Sequence, residues 1–258
     1  MRWARLFSIW RGGARFAGLS GNFSLGHEIL DSAAMQAGED AWARASVAIE
    51  RGRLFNSAGL PAEAAPFFAE AFELAQRVGD HNLAVDAVHM LAIASDVEAA
   101  ERWVAVALDY IEAHGASPQW QGMLHHNLGW TYFEAGRFED ALGAFRRDEA
   151  IREASGNAQT LKVARYAVVR TLRALSRVDE AIALGEKVVA LADAANDAAP
   201  YVYEELAECY AMKGEMAKAQ RFAARAHAIL SENASFVKDE PVRLARLAAL
   251  AAGAAAAG

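Results

Sequence analysis

The sequence has little cysteine and proline, and it has no long apolar run. Its single cysteine, Cys209, excludes a disulfide within the chain and suits a reducing compartment. Five prolines in 258 residues leave most of the chain free to form helices. No apolar stretch reaches the roughly 20 residues that a transmembrane helix needs. These absences predict a soluble, largely helical protein with no membrane partner and a cytoplasmic location.

Positive charge is also scarce. Lys and Arg number 26 against 33 Asp and Glu, so the formal net charge is −7. Non-specific binding to nucleic acid requires clustered cations that neutralise phosphates. We therefore expect no nucleic-acid partner.

The amino terminus departs from this balance. Residues 1–27 contain four arginines and no acidic residue before Glu28. Such a segment is typical of an organelle-targeting peptide, whereas glycines interrupt any signal-peptide core. The alternative, which we prefer, is that residues 1–20 form a poorly kept first repeat helix, because GNFSLGHEILDSA after it has the pattern of a partner helix.

A helix-turn-helix pattern stands out in HHNLGWTYFEAGRFEDALGAF, residues 125 to 145. Small and large apolar residues recur there at helical spacing on both sides of a short turn. These positions are Leu128, Gly129, Tyr132, Gly136, Phe138, Ala141 and Phe145. The string resembles the tetratricopeptide repeat (TPR), with His125 in place of the usual Trp.

Further copies of the pattern occur along the chain, two of them with Ser at the turn. The turn residues lie 36 to 41 residues apart and are Gly21, Gly59, Ser95, Gly136, Ser176 and Gly214. This period exceeds the roughly 34 residues of the family, so we expect longer helices or loops. The loops between repeats read QAGED, RVGDHN, HGASPQ, ASGNAQ and AANDAAP, which are helix-stop sequences.

The resemblance implies an all-α fold, a right-handed α-solenoid of about six TPR-like helix pairs with a C-terminal capping helix. We expect one solenoid over residues 1–237, with a degenerate first repeat at 1–38. Residues 238–252 would form the capping helix, and 253–258 a flexible tail.

In this family the first helices of successive repeats line a concave groove, and the phase of the signature selects the residues that face it. The predicted ligand-binding residues are Arg53, Asn56, His89, His126, Asn127, Trp130, Arg170, Arg173, Glu205 and Glu208. Trp130 would stack on a ligand side chain, and Arg170 or Arg173 would hold a carboxylate. The alternative is that these are solvated positions paired within the protein, such as Arg53 with Glu50.

Other chemistry finds little support in the sequence. His89 and His126 with Asp86 nearby suggest a metal site, but no regular metal-ligand spacing accompanies them. The same histidines with Asp86 or Glu205 suggest a general base, but no nucleophile or cofactor motif is present. We expect Cys209 to be a buried, inert thiol. We therefore predict neither a metal, nor a cofactor, nor catalytic residues.

The resemblance thus implies a protein-interaction module that binds a peptide or protein segment in its groove, and not an enzyme. A regulatory sensor of the long-repeat TPR type, which responds to a small ligand or peptide, remains the alternative. A homodimer also remains open.

Overall fold

The computed structural model describes residue 10 and residues 12–18 and 20–253. Within these residues the chain is a succession of α-helices with short connections and no β-strand. No helix in the described part of the chain is both long and apolar enough to cross a membrane. The all-α prediction is confirmed.

The helices follow one another in pairs. The first seven are α1 (12–18), α2 (Phe23–Ala37), α3 (Ala41–Ser57), α4 (Pro61–Val78), α5 (His81–Ile93), α6 (Val97–His114) and α7 (Gln119–Glu134). The next seven are α8 (Phe138–Ser155), α9 (Ala158–Ala174), α10 (Val178–Ala194), α11 (Pro200–Met212), α12 (Met216–Leu230), α13 (Ala234–Asp239) and α14 (Pro241–Ala251). Odd-numbered helices up to α11 are the first helices of the predicted repeats.

The connections between helices are closed by two local devices. At several helix starts an Asp or Asn side chain accepts a backbone N–H, as Asp40 does from Ala43 at 2.8 Å and Asp80 from Leu83 at 3.0 Å. Each of the five predicted loops between repeats contains a residue with positive φ, which lets the chain reverse. These residues are Gly38, Gly79, Gly115, Gly156 and Asn196.

The turns within the helix pairs follow the same principle with one exception. Five of the six predicted turn residues have positive φ, including Ser176 at 58°. Ser95 does not; its hydroxyl instead donates to the Leu91 carbonyl at 2.6 Å, which ends α5 differently.

The chain forms two compact units, residues 1–131 and 132–258, and the boundary falls within α7. In unit 1, each of the helices α2 to α6 packs on the next, and α3 also contacts α5. The Phe68 side chain, fully buried on α4, lies against the backbone of Gly52 on α3. Gly52 precedes its turn residue by seven residues, as Gly129 does, and is the signature glycine of its repeat. It therefore admits an aromatic ring where the two helices approach closely.

Unit 2 is built in the same way. Its core includes Tyr203, Leu206, Tyr210 and Phe222, with the Tyr210 and Phe222 rings stacked 5.8 Å apart between α11 and α12. Helix α14 packs mainly against α12 and buries Leu247 and Leu250 there. Apolar surface on α12 is thereby removed from solvent.

Three expectations remain predictions. The division into a solenoid over 1–237 and a capping helix over 238–252 is one of them. The targeting alternative for residues 1–20 falls mostly outside the described residues, although residues 12–18 are helical. The tail at 254–258 also lies outside them.

Candidate functional site

The ten predicted ligand-binding residues all lie on first helices, α3 to α11. Six belong to unit 1: Arg53, Asn56, His89, His126, Asn127 and Trp130. Four belong to unit 2: Arg170, Arg173, Glu205 and Glu208.

In unit 1, Arg53 is held by carboxylates of its own unit. Its guanidinium donates to Glu50 at 2.8 Å and to both carboxylate oxygens of Asp86, at 2.6 and 2.7 Å. Arg15 donates two further hydrogen bonds to Glu50, each at 2.9 Å. Glu50 is 1 % exposed, so these bonds replace its lost hydration. The predicted alternative of an Arg53–Glu50 pair is therefore present, and the network joins α1, α3 and α5.

A cavity of about 330 Å³ lies beside this network. Its lining includes Arg15, Arg53, Leu54, Asn56 and Met90, from three successive first helices. The Asn56 side chain has no hydrogen-bond partner among the described residues, so its amide is available to a ligand. Of the predicted residues, Arg53 and Asn56 are brought together here.

His89 is instead a buried packing residue. It is 5 % exposed, its ring lies 5.6 Å from that of Trp120, and the Asn127 side-chain nitrogen lies 2.5 Å from its Nε2. Burial lowers the pKa of His89 to about 4, although nearby Asp86 acts in the opposite direction. The imidazole is consequently neutral near pH 7 and accepts a hydrogen bond from Asn127. The pair ties α5 to α7 and presents little surface to a ligand.

His126 and Trp130 form a second local pair, one turn apart on α7. The Trp130 indole N–H donates to Nε2 of His126 at 3.0 Å, and the rings are arranged edge-on. Both side chains are partly exposed. The hydrogen bond fixes the orientation of the Trp130 indole on α7.

In unit 2, the predicted arginines converge on one buried carboxylate. Glu205 is fully buried and accepts from Arg170 at 3.2 Å and from Arg173 at 2.5 Å. Glu208, farther along α11, accepts two hydrogen bonds from Arg246 of α14, at 2.9 and 3.1 Å. Glu205 and Glu208 are therefore internal ion-pair partners, whereas Arg170 and Arg173 keep part of their donor capacity.

Sequence reasoning missed an apolar cavity one helical turn from these arginines. The cavity measures about 320 Å³ and lies between the amino-terminal halves of α9 and α11. Val163, Tyr166, Pro200 and Tyr201 line it, with Lys162 at its edge. Tyr166 precedes Arg170 by four residues, and Tyr201 precedes Glu205 by four, so the phase that selected the polar residues also marked the tyrosines.

Among the described residues, no three His, Cys, Asp or Glu side chains come together in a group that would hold a metal. Cys209 is buried, and burial raises the pKa of its thiol to about 12, so the nucleophilic thiolate does not form near neutral pH.

Several known structures have a fold similar to that of this chain. The chain is similar to BtubC (BKLC) from P. vanneervenii, with 16 % identity, a TM-score of 0.66, and coverage of 90 % of this chain and 92 % of that one. It is similar to a Rap protein complexed with Competence and Sporulation Factor, with 15 % identity, a TM-score of 0.61, and coverage of 96 % and 76 %. A third similar structure is a Podosopora anserina putative kinesin light chain with nearly identical TPR-like repeats, at 18 % identity, a TM-score of 0.50, and coverage of 90 % and 98 %.

The chain therefore has the helix-pair fold of TPR proteins, as the repeat signature predicted. No protein-family model matches the sequence, and no curated protein matches it either. The structural likeness defines the fold of the chain.

Proposed function

We propose that this protein is a non-catalytic recognition module that binds a peptide or protein segment on the exposed face of its first helices. The main support is that, in each unit, the face formed by the first helices contains an open cavity of more than 300 Å³. Cavities of this size accept amino-acid side chains, and clefts lined by apolar groups with a few polar ones are the usual form of binding sites.

Each cavity, taken by itself, suits a side chain of a peptide segment. The unit 1 cavity offers the Asn56 amide and the edges of Arg15 and Arg53. The unit 2 cavity offers apolar surface from Val163 and Tyr201, which are 48 % and 37 % exposed. Within its own unit, each cavity can accept one side chain of an extended segment, a polar one in unit 1 and an apolar one in unit 2.

The similar Rap structure contains a bound factor, and that fact belongs to the Rap protein. In this chain His89 is neutral and accepts a hydrogen bond from Asn127 within the fold, which disfavours a catalytic role for it. The imidazole is therefore already engaged where a general base would have to reach a substrate.

Selection of phage-displayed random dodecapeptides on the immobilised chain tests the proposal. We expect enriched peptides that raise the melting temperature of the chain, because a ligand that binds only the folded state stabilises it. Stabilisation by metabolites, with no enriched peptide, would support the sensor alternative and overturn the proposal.

Two variants locate the binding site. Ser57→Trp and Ala198→Trp each place a bulky side chain in one cavity from an exposed position. Ala154→Trp, at an exposed position of α8 outside both cavities, is the matched control. Peptide binding that is lost in neither cavity variant would place the ligand elsewhere and contradict the proposal.

A further inference from the structure

One partly exposed face of α9 changes from apolar to cationic along its length. Val163, Tyr166, Arg170 and Arg173 follow one another at intervals of three or four residues and therefore lie on one face of the helix. This face is apolar and aromatic at its amino-terminal end and cationic at its carboxyl-terminal end. A ligand that follows this helix meets the two kinds of surface in turn.

The apolar end is a built cavity with defined walls. The rings of Tyr166 and Tyr201 lie 5.5 Å apart, and Val163 completes the lining on the α9 side. At the edge, Lys162 is paired with Asp197 at 2.7 Å and with the Ala198 carbonyl at 3.1 Å. Its charge is thereby matched within the protein, and the cavity itself favours an apolar group.

The cationic end has more positive charge than its internal partner neutralises. Arg170 and Arg173 share the one carboxylate of Glu205. The neighbouring carboxylates are engaged elsewhere, Glu204 by Arg243 and Glu208 by Arg246. The Arg170 and Arg173 side chains are 23 % and 28 % exposed, so their guanidinium groups are partly open to solvent. One positive charge and several guanidinium N–H groups therefore remain for an anionic ligand group.

The spacing of the two ends sets the spacing in the ligand. The Tyr166 ring lines the cavity, and its hydroxyl accepts a hydrogen bond from Arg170 at 3.1 Å. One tyrosine side chain thus bridges the apolar and cationic surfaces. Two residues of an extended chain span about 6.6 Å, which is comparable with the length of the tyrosine side chain that joins the two surfaces.

We propose that unit 2 recognises an extended protein segment in which a large apolar side chain and an acidic side chain are two residues apart. The apolar side chain enters the cavity of Val163, Tyr166 and Tyr201, and the carboxylate pairs with Arg170 and Arg173. This inference rests on the proposed function and gives the chemical class of the partner. Charge complementarity selects an acidic segment over a basic one.

A synthetic peptide array provides the test, with the full-length chain as the probe protein. The peptides combine Phe, Leu or Ser at one position with Glu, Gln or Lys two residues away, in both orders, on an Ala/Gly background. We expect the Phe–Glu and Leu–Glu peptides to bind about tenfold more tightly than Ser–Glu or Phe–Lys peptides.

Variants separate the two subsites. Val163→Asp should abolish the preference for Phe and Leu over Ser, and Arg173→Gln should abolish the preference for Glu over Gln while the apolar preference persists. Val106→Asp is the matched control, because Val106 is a helix-interior valine of α6 with 39 % exposure and lies outside the cavity. Thermal melts confirm that each variant is folded.

Three outcomes would overturn the inference. The first is an array in which basic or purely polar peptides bind best; peptide recognition itself would then survive. The second is an unchanged preference in Val163→Asp. The third is a wild-type dimer that Val163→Asp converts to monomer in sedimentation, since the surface would then bind a second copy. A complete lack of binding by peptides of every composition would count against the proposed function as well.

Discussion

His89 shows how burial determines the role of a single residue. It lies between Trp120 and Asn127, and its pKa is lowered to about 4 from an ordinary value of 6.5 because its charged form has lost hydration. At pH values between these two pKa values, the unfolded chain binds a proton that the folded chain does not. The free energy of unfolding therefore falls as the pH falls through this window, and the loss of stability due to His89 is complete near pH 4.

We predict that His89 makes the wild type lose about 2 kcal/mol of stability between pH 7.5 and pH 5. His89→Gln keeps a group that hydrogen-bonds Asn127 but has no titrating ring, so this component should be absent. Urea unfolding of both proteins at the two pH values measures the difference. Equal pH dependence in wild type and variant would show that His89 titrates normally in the folded state.

At the scale of the helix pair, one small residue permits close packing. A Cβ atom added to Gly52 would lie 2.5 Å from Cε1 and 2.7 Å from Cδ1 of Phe68, which is fully buried. The buried Phe68 ring cannot move away from the added atom without disturbing the packing of α4. The signature glycine of this repeat is therefore a packing requirement.

Gly52→Ala should lower the free energy of unfolding by about 1–3 kcal/mol through overpacking, even though Ala favours a helix by about 1 kcal/mol. Gly143→Ala is the control, because a Cβ at this exposed position of α8 meets no atom within 4 Å. That variant should gain up to about 1 kcal/mol from helix propensity. Chemical denaturation compares them; a stabilised Gly52→Ala would disprove the close-packing argument.

The two serine turns differ in backbone conformation although the repeat pattern treats them alike. Ser176 has φ of 58°, a left-handed conformation that costs an L-residue about 1 kcal/mol, whereas Ser95 does not have a positive φ. Ser176→Gly should therefore stabilise the protein by about 0.5–1 kcal/mol. Ser95→Gly should destabilise it, since it adds chain entropy without relieving strain and removes the hydroxyl bond to Leu91. Thermal melts of the pair test this; the same sign for both would contradict it.

At the scale of the whole molecule, the two compact units have different spectroscopic labels. All six tryptophans, Trp3, Trp10, Trp42, Trp103, Trp120 and Trp130, precede the boundary at residue 131. Tryptophan fluorescence therefore reports unit 1, whereas far-ultraviolet circular dichroism reports the helices of both units. In repeat proteins stability is held largely in contacts between neighbouring elements.

Leu247→Ala should act on unit 2 alone. Leu247 of α14 is 1 % exposed in the core formed with α12, so its truncation should cost about 2–5 kcal/mol. We expect the circular dichroism transition in urea to move to lower concentration while the tryptophan transition stays in place. Val242→Ala, at a position 81 % exposed on the same helix, should leave both unchanged. Coincident shifts of both transitions would show that the chain unfolds as one unit.

Much of the fold was predictable because its signals are local. Helix starts, loop glycines and the small and aromatic positions of the repeat lie within one or two turns of each other, so periodicity reveals them. The different turn at Ser95 was not predictable, because serine permits either backbone conformation. The apolar cavity was not predicted because mainly polar residues were taken as ligand contacts. Tyr166 and Tyr201 have the same helical phase as those residues and were left out.

The series of helix pairs is specified locally, since the packing pattern of each pair is contained within about 40 residues. The pairing of the polar side chains depends instead on tertiary contacts. Arg53 meets Asp86 across 33 residues, Arg173 meets Glu205 across 32, and Asn127 meets His89 across 38. These partners are one repeat apart and become neighbours only when first helices stack, because hydrogen bonds act over about 3 Å and depend on rotamers that no repeat pattern specifies.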